Sequence, residues 1–248
     1  MPPLVAAAEA VPVVALAALL VTAYRHPRGR TELAVAAAAV LATVAAGQVE
    51  APAVREALVQ LGPVVAFLAT ILVVAEVCAV SGVFTAAAHR IVLASRDRPA
   101  RLLTGVFLLA AATTVVLSLD ATVVLLAPVV VGAALAMGVP TRPGAQACVR
   151  MANSASLLLP VSNLTNLLAM HHLDLTFTGF AAHMALPLAA VLVVEYAVLR
   201  LLHRRDLAVA PRRGLAAPAP PIPVVPIVAV GLMLIGFATL SFVGVEPA

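Results

Sequence analysis

The sequence predicts an all-α polytopic membrane protein, and its composition and its apolar pattern both support this. Of the 248 residues, 63% are hydrophobic and only 10% are charged, and apolar stretches of about 20 residues recur along the whole chain. A soluble domain needs more polar surface, and a membrane barrel shows short alternating strands. The basic residues stand singly or in short groups without interleaved aromatic residues, so no nucleic-acid partner is expected and the lipid bilayer is the expected environment.

Seven apolar windows define the predicted elements, and two of them are unusual. The fourth window is 38 residues long, nearly twice one span, and the fifth is interrupted by polar residues around Pro160. The windows are residues 4–24, 32–48, 61–84, 102–139, 146–170, 177–202 and 224–245.

The distribution of arginine predicts that the long fourth window folds back to the side from which it entered. With a fold-back, all basic residues except Arg55 fall on one side of the membrane, which the positive-inside rule assigns to the cytoplasm. The arginine-rich loops are residues 25–31, 89–101, 140–150 and 200–213. We therefore expect a multi-pass protein of the cell membrane with its N-terminus outside.

The length of the first arm predicts how deep the fold-back reaches. Residues 102–117 would form about 24 Å of helix, which is short of the ~30 Å hydrocarbon core. This favours a re-entrant hairpin whose tip, "SLDA", stops inside the membrane, and a full two-helix hairpin is the alternative.

Together with the family resemblance described below, the windows imply one repeat of an inverted-repeat transporter plus the first helix of a second repeat, which the chain does not complete. A proline-rich stretch marks the place where the second repeat would begin. The predicted segments are transmembrane helices 1 and 2 (1–60), helix 3 with a cytoplasmic amphipathic segment (61–101), the re-entrant hairpin (102–139), broken helix 5 with helix 6 (140–205), the cytoplasmic linker (206–223) and the first helix of the second repeat (224–248).

Three acidic residues fall inside apolar windows, where a charge is costly and often functional. Asp120, at the hairpin tip, has two compatible roles: its carboxylate caps the second arm, or it binds a cation or proton during transport. Glu76 is expected to be interfacial or paired with an arginine. Glu195 is expected to snorkel or to pair locally, five residues before Arg200.

Residues 152–168 of the fifth window, "ANSASLLLPVSNLTNLL", predict a broken helix that lines a cavity. Seven polar side chains surround Pro160, which removes a backbone donor and frees a carbonyl one turn earlier. They are Asn153, Ser154, Ser156, Ser162, Asn163, Thr165 and Asn166. The chain lacks hydrolase and P-loop motifs, and Cys78 and Cys148 fit no metal or redox motif, so we expect neither an enzyme nor a cofactor or metal site.

These two stretches resemble motifs of the ion transporter superfamily. "SLDATVVLLAP" resembles its hairpin tip, "ANSASLLLPVSNLTNLL" closely resembles the broken fifth helix of the arsenical pump membrane protein family, and "AEVCAVSGVF" is similar to the end of that family's third helix. Leu119 stands where the family has Asn, which removes one polar ligand for sodium.

The resemblance implies an arsenite or antimonite efflux permease, or antiporter, of the inner membrane that confers arsenical resistance and is coupled to protons. Asp120 would then carry the proton or ion. The residues implied in binding a small inorganic or anionic solute are Ser118, Thr122, Asn153, Ser162, Asn163, Thr165 and Asn166. One alternative is a citrate or dicarboxylate symporter of the same superfamily, coupled to sodium. Another is a non-transporting half that needs a homodimer or a second-half partner.

Overall fold

A computed structural model describes residues 2–25, 29–47, 51–170, 173, 175–211 and 220–242, and all regular structure in these residues is helical. The expectation of an all-α polytopic membrane protein is thus confirmed. The chain divides into two compact units, Met1–Pro63 and Val64–Ala248, with the boundary inside one helix.

The first unit contains α1 (Pro2–Arg25), α2 (Gly29–Ala45) and the beginning of α3 (Ala51–Val80). Alanine and valine line the faces that α1 and α2 turn toward each other, so the two backbones come close together. Helix α3 begins ten residues before the predicted window. Arg55 and Glu56 end an apolar window, but they are good helix formers that do not end a helix.

The second unit contains the rest of α3 and the remaining helices, several of them short. After α4 (Val83–Ser95) and α5 (Pro99–Val116), the chain reverses at Leu117–Ser118 and returns through a π-helical turn (Ala121–Leu126) and α6 (Ala127–Ala136). The later helices are α7 (Arg142–Ser154), α8 (Leu164–Met170), α9 (Phe177–Leu202) and α10 (Val224–Phe242).

Three helices in the described part of the chain are long and apolar enough to cross a bilayer: Pro52–Val80, Pro99–Val116 and Phe177–Leu202. Four shorter apolar helices accompany them, namely Ala10–Arg25, Val83–Ser95, Ala121–Ala136 and Val224–Thr239. Helix α5, with its 18 residues, is about 27 Å long at about 1.5 Å per residue. The prediction of a re-entrant rather than a spanning hairpin therefore stays a prediction.

Helix α5 packs against α4, α7 and α9 in the second unit, and two glycines let helices of this unit approach closely. A Cβ on Gly105 would lie 2.4 Å from Ile91 Cγ2 of α4, and a Cβ on Gly144 of α7 would lie 2.8 Å from Val130 Cγ1 of α6. Both distances are far below van der Waals contact, so a larger side chain would not fit at either position. In each helix pair the glycine lets the two helices lie close together, as is common in membrane bundles.

Helix α9 is attached to the bundle by polar contacts as well as by apolar packing. The Tyr196 hydroxyl lies 2.5 Å from Thr104 Oγ1 of α5, and the Tyr196 ring packs edge-on against Phe107 at 5.3 Å between centroids. Just beyond the end of α9, His203 is buried between Asp206 Oδ2 at 2.9 Å and Gln146 Oε1 of α7 at 2.8 Å. The end of α9 is therefore fixed to the start of α7.

The described residues leave some of the predicted topology untested. Arg28, Arg212 and Arg213, three of the arginines assigned to the cytoplasm, and residues 212–219 of the predicted linker lie outside them. The predicted orientation of the termini stays a prediction.

Candidate functional site

The tip of the hairpin is closed by a serine rather than by the aspartate. Ser118 Oγ accepts a hydrogen bond from the backbone N–H of Ala121 at 3.1 Å, in the first turn of the second arm. The first N–H groups of a helix have no partner within it, so a hydroxyl at this place satisfies one of them. The expected capping role of Asp120 is therefore wrong, because its carboxylate makes no capping hydrogen bond.

The second arm starts as a π-helix because of a proline. Ala127 N–H bonds to the Thr122 carbonyl, five residues earlier, instead of the usual four. Pro128 has no N–H, and its ring would crowd the Val124 carbonyl in a regular α-helix. The wider turn relieves that clash. Short π-helical segments of this kind are frequent at functional sites.

Two threonines join the arms of the hairpin. Thr114 Oγ1 of the first arm lies 2.7 Å from Thr122 Oγ1 of the second arm, and both side chains are fully buried. Thr114 Oγ1 is also 2.9 Å from the Ala110 carbonyl, which accepts its proton. The Thr122 hydroxyl, predicted to bind solute, is therefore engaged within the hairpin.

The predicted break of the fifth helix lies between α7 and α8. Two short 3-10 turns, Ala155–Leu157 and Pro160–Ser162, replace the α-helix, and Leu159 and Asn163 have extended backbones. Pro160 starts the second turn, where its missing N–H is not needed. Of the seven polar residues predicted around Pro160, Ser156, Ser162 and Asn163 lie on this irregular backbone, and the other four lie at the adjoining ends of α7 and α8.

Asparagine side chains satisfy backbone groups that the break leaves free. Asn166 Nδ2 donates to the Ser156 carbonyl at 2.6 Å and to the Leu159 carbonyl at 3.3 Å. Asn163 Oδ1 accepts from the N–H of Thr165 at 3.1 Å and so caps α8. Since no water competes inside a bilayer, such internal partners are what makes irregular backbone tolerable there.

The structure brings the hairpin tip and the broken helix together through one hydrogen bond. Ser162 Oγ, which is fully buried, donates to the Val115 carbonyl near the end of α5 at 2.6 Å. The two motifs singled out in the sequence are therefore neighbours in space. Asn153 and Thr165 are exposed, and their side chains make no hydrogen bond with the described residues.

Asp120 lies in an open cleft of about 350 Å³ between α3 and the second arm. The cleft contains a second acid, Glu76, and is otherwise lined by Leu72, Val73, Ala121, Val124 and Leu125. Both acids are exposed, and neither forms an ion pair or hydrogen bond within the described residues, so the expected arginine partner of Glu76 is not found there. The sequence did not indicate that these two acids line the same cleft, because they are 44 positions apart.

Glu195 also contacts the broken helix, which the sequence did not indicate. Its Oε1 accepts a hydrogen bond from Ser154 Oγ at the end of α7, 2.8 Å away. Arg200, the expected local partner, instead donates to the Tyr196 hydroxyl at 3.2 Å. The contact joins residues 41 positions apart, so no local pattern could have revealed it.

The described residues hold no group of three or more His, Cys, Asp or Glu side chains placed to bind a metal ion. Cys78 and Cys148 are both buried and unpaired as thiols.

A polytopic helical bundle with a helical hairpin against a broken helix is the architecture of a membrane transporter rather than of a soluble enzyme. The profile of the citrate transporter family (CitMHS) matches residues 9–248, nearly the whole chain. The chain therefore belongs to the citrate transporter family. No curated protein and no solved structure matches it.

Proposed function

We propose that this protein is a secondary transporter that moves citrate, or a related polycarboxylate, together with cations through the acid-lined cleft. The observation that carries the proposal is the unpaired carboxylate of Asp120, in a cleft that it shares with Glu76. Membership of the citrate transporter family supports the substrate class. The cleft volume of about 350 Å³ falls within the range of about 300–1,000 Å³ of small-molecule pockets.

The charge of the cleft restricts the form of citrate that can enter. Bare citrate carries several negative charges, and the two carboxylates, which have no basic neighbour among the described residues that line the cleft, repel it. Protons on citrate, or a divalent cation chelated by it, remove most of that repulsion and give the acids a positive group to contact. We therefore propose that citrate is carried with protons or as a complex with a divalent cation, and that Asp120 contacts the cation.

The hydrogen bonds at the tip support different roles for the other predicted site residues. Ser118 and Thr122 form hydrogen bonds within the hairpin, so we propose that they stabilise its tip. Ser162 donates to the Val115 carbonyl, so we propose that it holds the broken helix against the hairpin. Among the described residues Asn163 uses only its Oδ1, so we propose that its Nδ2 is available to donate to a substrate carboxylate. Asn153 and Thr165 also have uncommitted side chains, whereas Asn166 is engaged at the break.

Arsenite or antimonite efflux, coupled to protons, is the second candidate, and the same charge argument favours it. Arsenous acid is neutral at pH 7, so an acid-lined cleft without a base does not repel it. The resemblance of "ANSASLLLPVSNLTNLL" to the arsenical pump family supports this candidate independently of the citrate profile.

Uptake into proteoliposomes that contain the purified full chain separates the candidates. We expect labelled citrate to accumulate when an inward proton gradient is imposed, and to accumulate faster with Mg²⁺ than with EDTA. Arsenite at the same concentration should not compete with citrate. Arsenite flux without citrate flux would replace the first candidate by the second. Absence of both fluxes, in vesicles that retain folded protein, would contradict the proposed function.

A further inference from the structure

Glu195 of α9 is an acid that the proposed cleft does not use, and half of its carboxylate lacks a partner. Oε1 accepts the hydrogen bond from Ser154 Oγ at 2.8 Å. Oε2 is buried and has no hydrogen-bond partner among the described residues. An ionised carboxylate has two oxygens that accept hydrogen bonds, and a buried one without a donor is strongly disfavoured.

The position of Ser154 makes a negative charge on Glu195 still less favourable. Ser154 is the last residue of α7, which is followed by a 3-10 turn. The carbonyl groups at the end of a helix carry partial negative charge, so this end attracts cations and repels anions. A neutral carboxyl group does not suffer this repulsion, and a buried neutral oxygen without a partner costs less than a buried ionised one.

No basic side chain compensates the charge in the described structure. The elements packed against α9 carry few charged residues, namely Arg101 on α5, Arg142 and Arg150 on α7, and Asp206 after α9. Within the described ranges the one ion pair joins His203 to Asp206, and Arg200 on α9 itself contacts Tyr196. Glu195 therefore has one hydroxyl as its partner and no cation.

We propose that Glu195 is a proton-binding site attached to the broken helix. A proton bound on Oε2 makes the carboxyl group neutral, while Oε1 still accepts the hydrogen bond from Ser154. Loss of that proton to water leaves one negative charge beside the end of α7. The repulsion then weakens the contact between α9 and the break. The site itself needs no substrate, and only its use in transport rests on the proposed function.

Infrared difference spectroscopy of the full chain in lipid nanodiscs, recorded on a pH step, tests the site directly. We expect a carbonyl band of a protonated carboxyl group that is absent in Glu195→Gln and present in the matched control Glu56→Gln, whose acid is exposed on α3. In Ser154→Ala, which keeps the carboxyl group, the band should shift because it loses a hydrogen bond.

Three results would overturn the proposal. One is a band that persists unchanged in Glu195→Gln, and another is a band that does not move in Ser154→Ala. The third is a band that responds to sodium in place of choline but not to pH, which would make Glu195 a sodium ligand. Should Glu195→Gln fail to fold, the Ser154→Ala shift and the sodium exchange still decide the question.

A transport measurement connects the site to the proposed function. We expect uptake by Glu195→Gln to lose most of its dependence on the proton gradient, while Glu56→Gln keeps it. An intact pH-dependent band with no solute flux in any variant would contradict the proposed function and leave the proton site standing. Unchanged gradient dependence in Glu195→Gln would remove Glu195 from coupling.

Discussion

Two sets of polar groups meet at the hairpin tip, and they differ in how their hydrogen bonds are used. The hydroxyls of Thr114, Thr122 and Ser162 are fully buried and bonded to protein partners. The carboxylates of Asp120 and Glu76 are exposed in a cleft and have no partner within the described residues. Buried, satisfied groups fix a structure, whereas unpaired charges are free to bind a ligand. We therefore propose that the hydroxyls stabilise the tip and that the carboxylates take part in transport.

The largest expected effect is on transport by Asp120→Asn. This change keeps the size of the side chain and removes its charge. We expect the uptake rate in proteoliposomes to fall about a hundredfold, or about 2.7 kcal/mol of barrier. Since the side chain is exposed, thermal stability should change by less than about 0.5 kcal/mol. Normal uptake at normal stability would remove Asp120 from the mechanism.

Asn166→Ala should have the largest effect on stability, because one side chain bonds two carbonyls at the break. We expect the free energy of unfolding in detergent to fall by about 2–3 kcal/mol. The control is Thr165→Ala, one residue earlier. Its exposed side chain has no hydrogen-bond partner in the described part of the chain, so its loss should cost less than about 0.5 kcal/mol. Equal effects of the two changes would mean that Asn166 does not hold the break.

Gly105→Ala tests the close packing of α4 on α5. The added Cβ would lie 2.4 Å from Ile91 Cγ2, so Ile91 or the helix must move, at a cost of about 1–3 kcal/mol. Gly132→Ala on α6 is the matched control, because its Cβ meets nothing within 4 Å. That control should leave stability unchanged or slightly raise it. A harmless Gly105→Ala would show that these helices are less tightly packed than described.

The smallest expected effect is the coupling between the two threonines that join the hairpin arms. A double-mutant cycle with Thr114→Val and Thr122→Val should give a coupling energy of about 0.5–1.5 kcal/mol in unfolding. Thr70→Val replaces Thr114→Val in the control cycle, since the Thr70 hydroxyl bonds only to its own helix at Ala66. An equally large coupling energy between Thr70→Val and Thr122→Val would show that the cycle does not measure the contact between Thr114 and Thr122.

The sequence predicted the helical fold and the position of the broken helix well, and it predicted the side-chain contacts at the site poorly. Composition and apolar periodicity were sufficient for the helical membrane fold, and Pro160 among polar residues marked the irregular backbone, because these signals are local. The contacts of Ser162 with Val115 and of Glu195 with Ser154 were not predictable, since they join residues 47 and 41 positions apart. The capping residue is Ser118 and not Asp120, two residues later. Side chains at several nearby positions can reach the same free N–H, so the sequence alone did not distinguish them.

The most direct test of the central claim is whether substrate covers the cleft that holds Asp120. Val124 lines this cleft and Leu135 lies farther along the same arm, and both side chains are 65% exposed. Cysteines introduced at the two positions can be labelled with a maleimide over little background, because Cys78 and Cys148 are buried. We expect citrate with Mg²⁺ to slow labelling of Val124→Cys several-fold and to leave Leu135→Cys unchanged. Equal labelling rates at Val124→Cys with and without citrate, in protein that still transports it, would contradict the account.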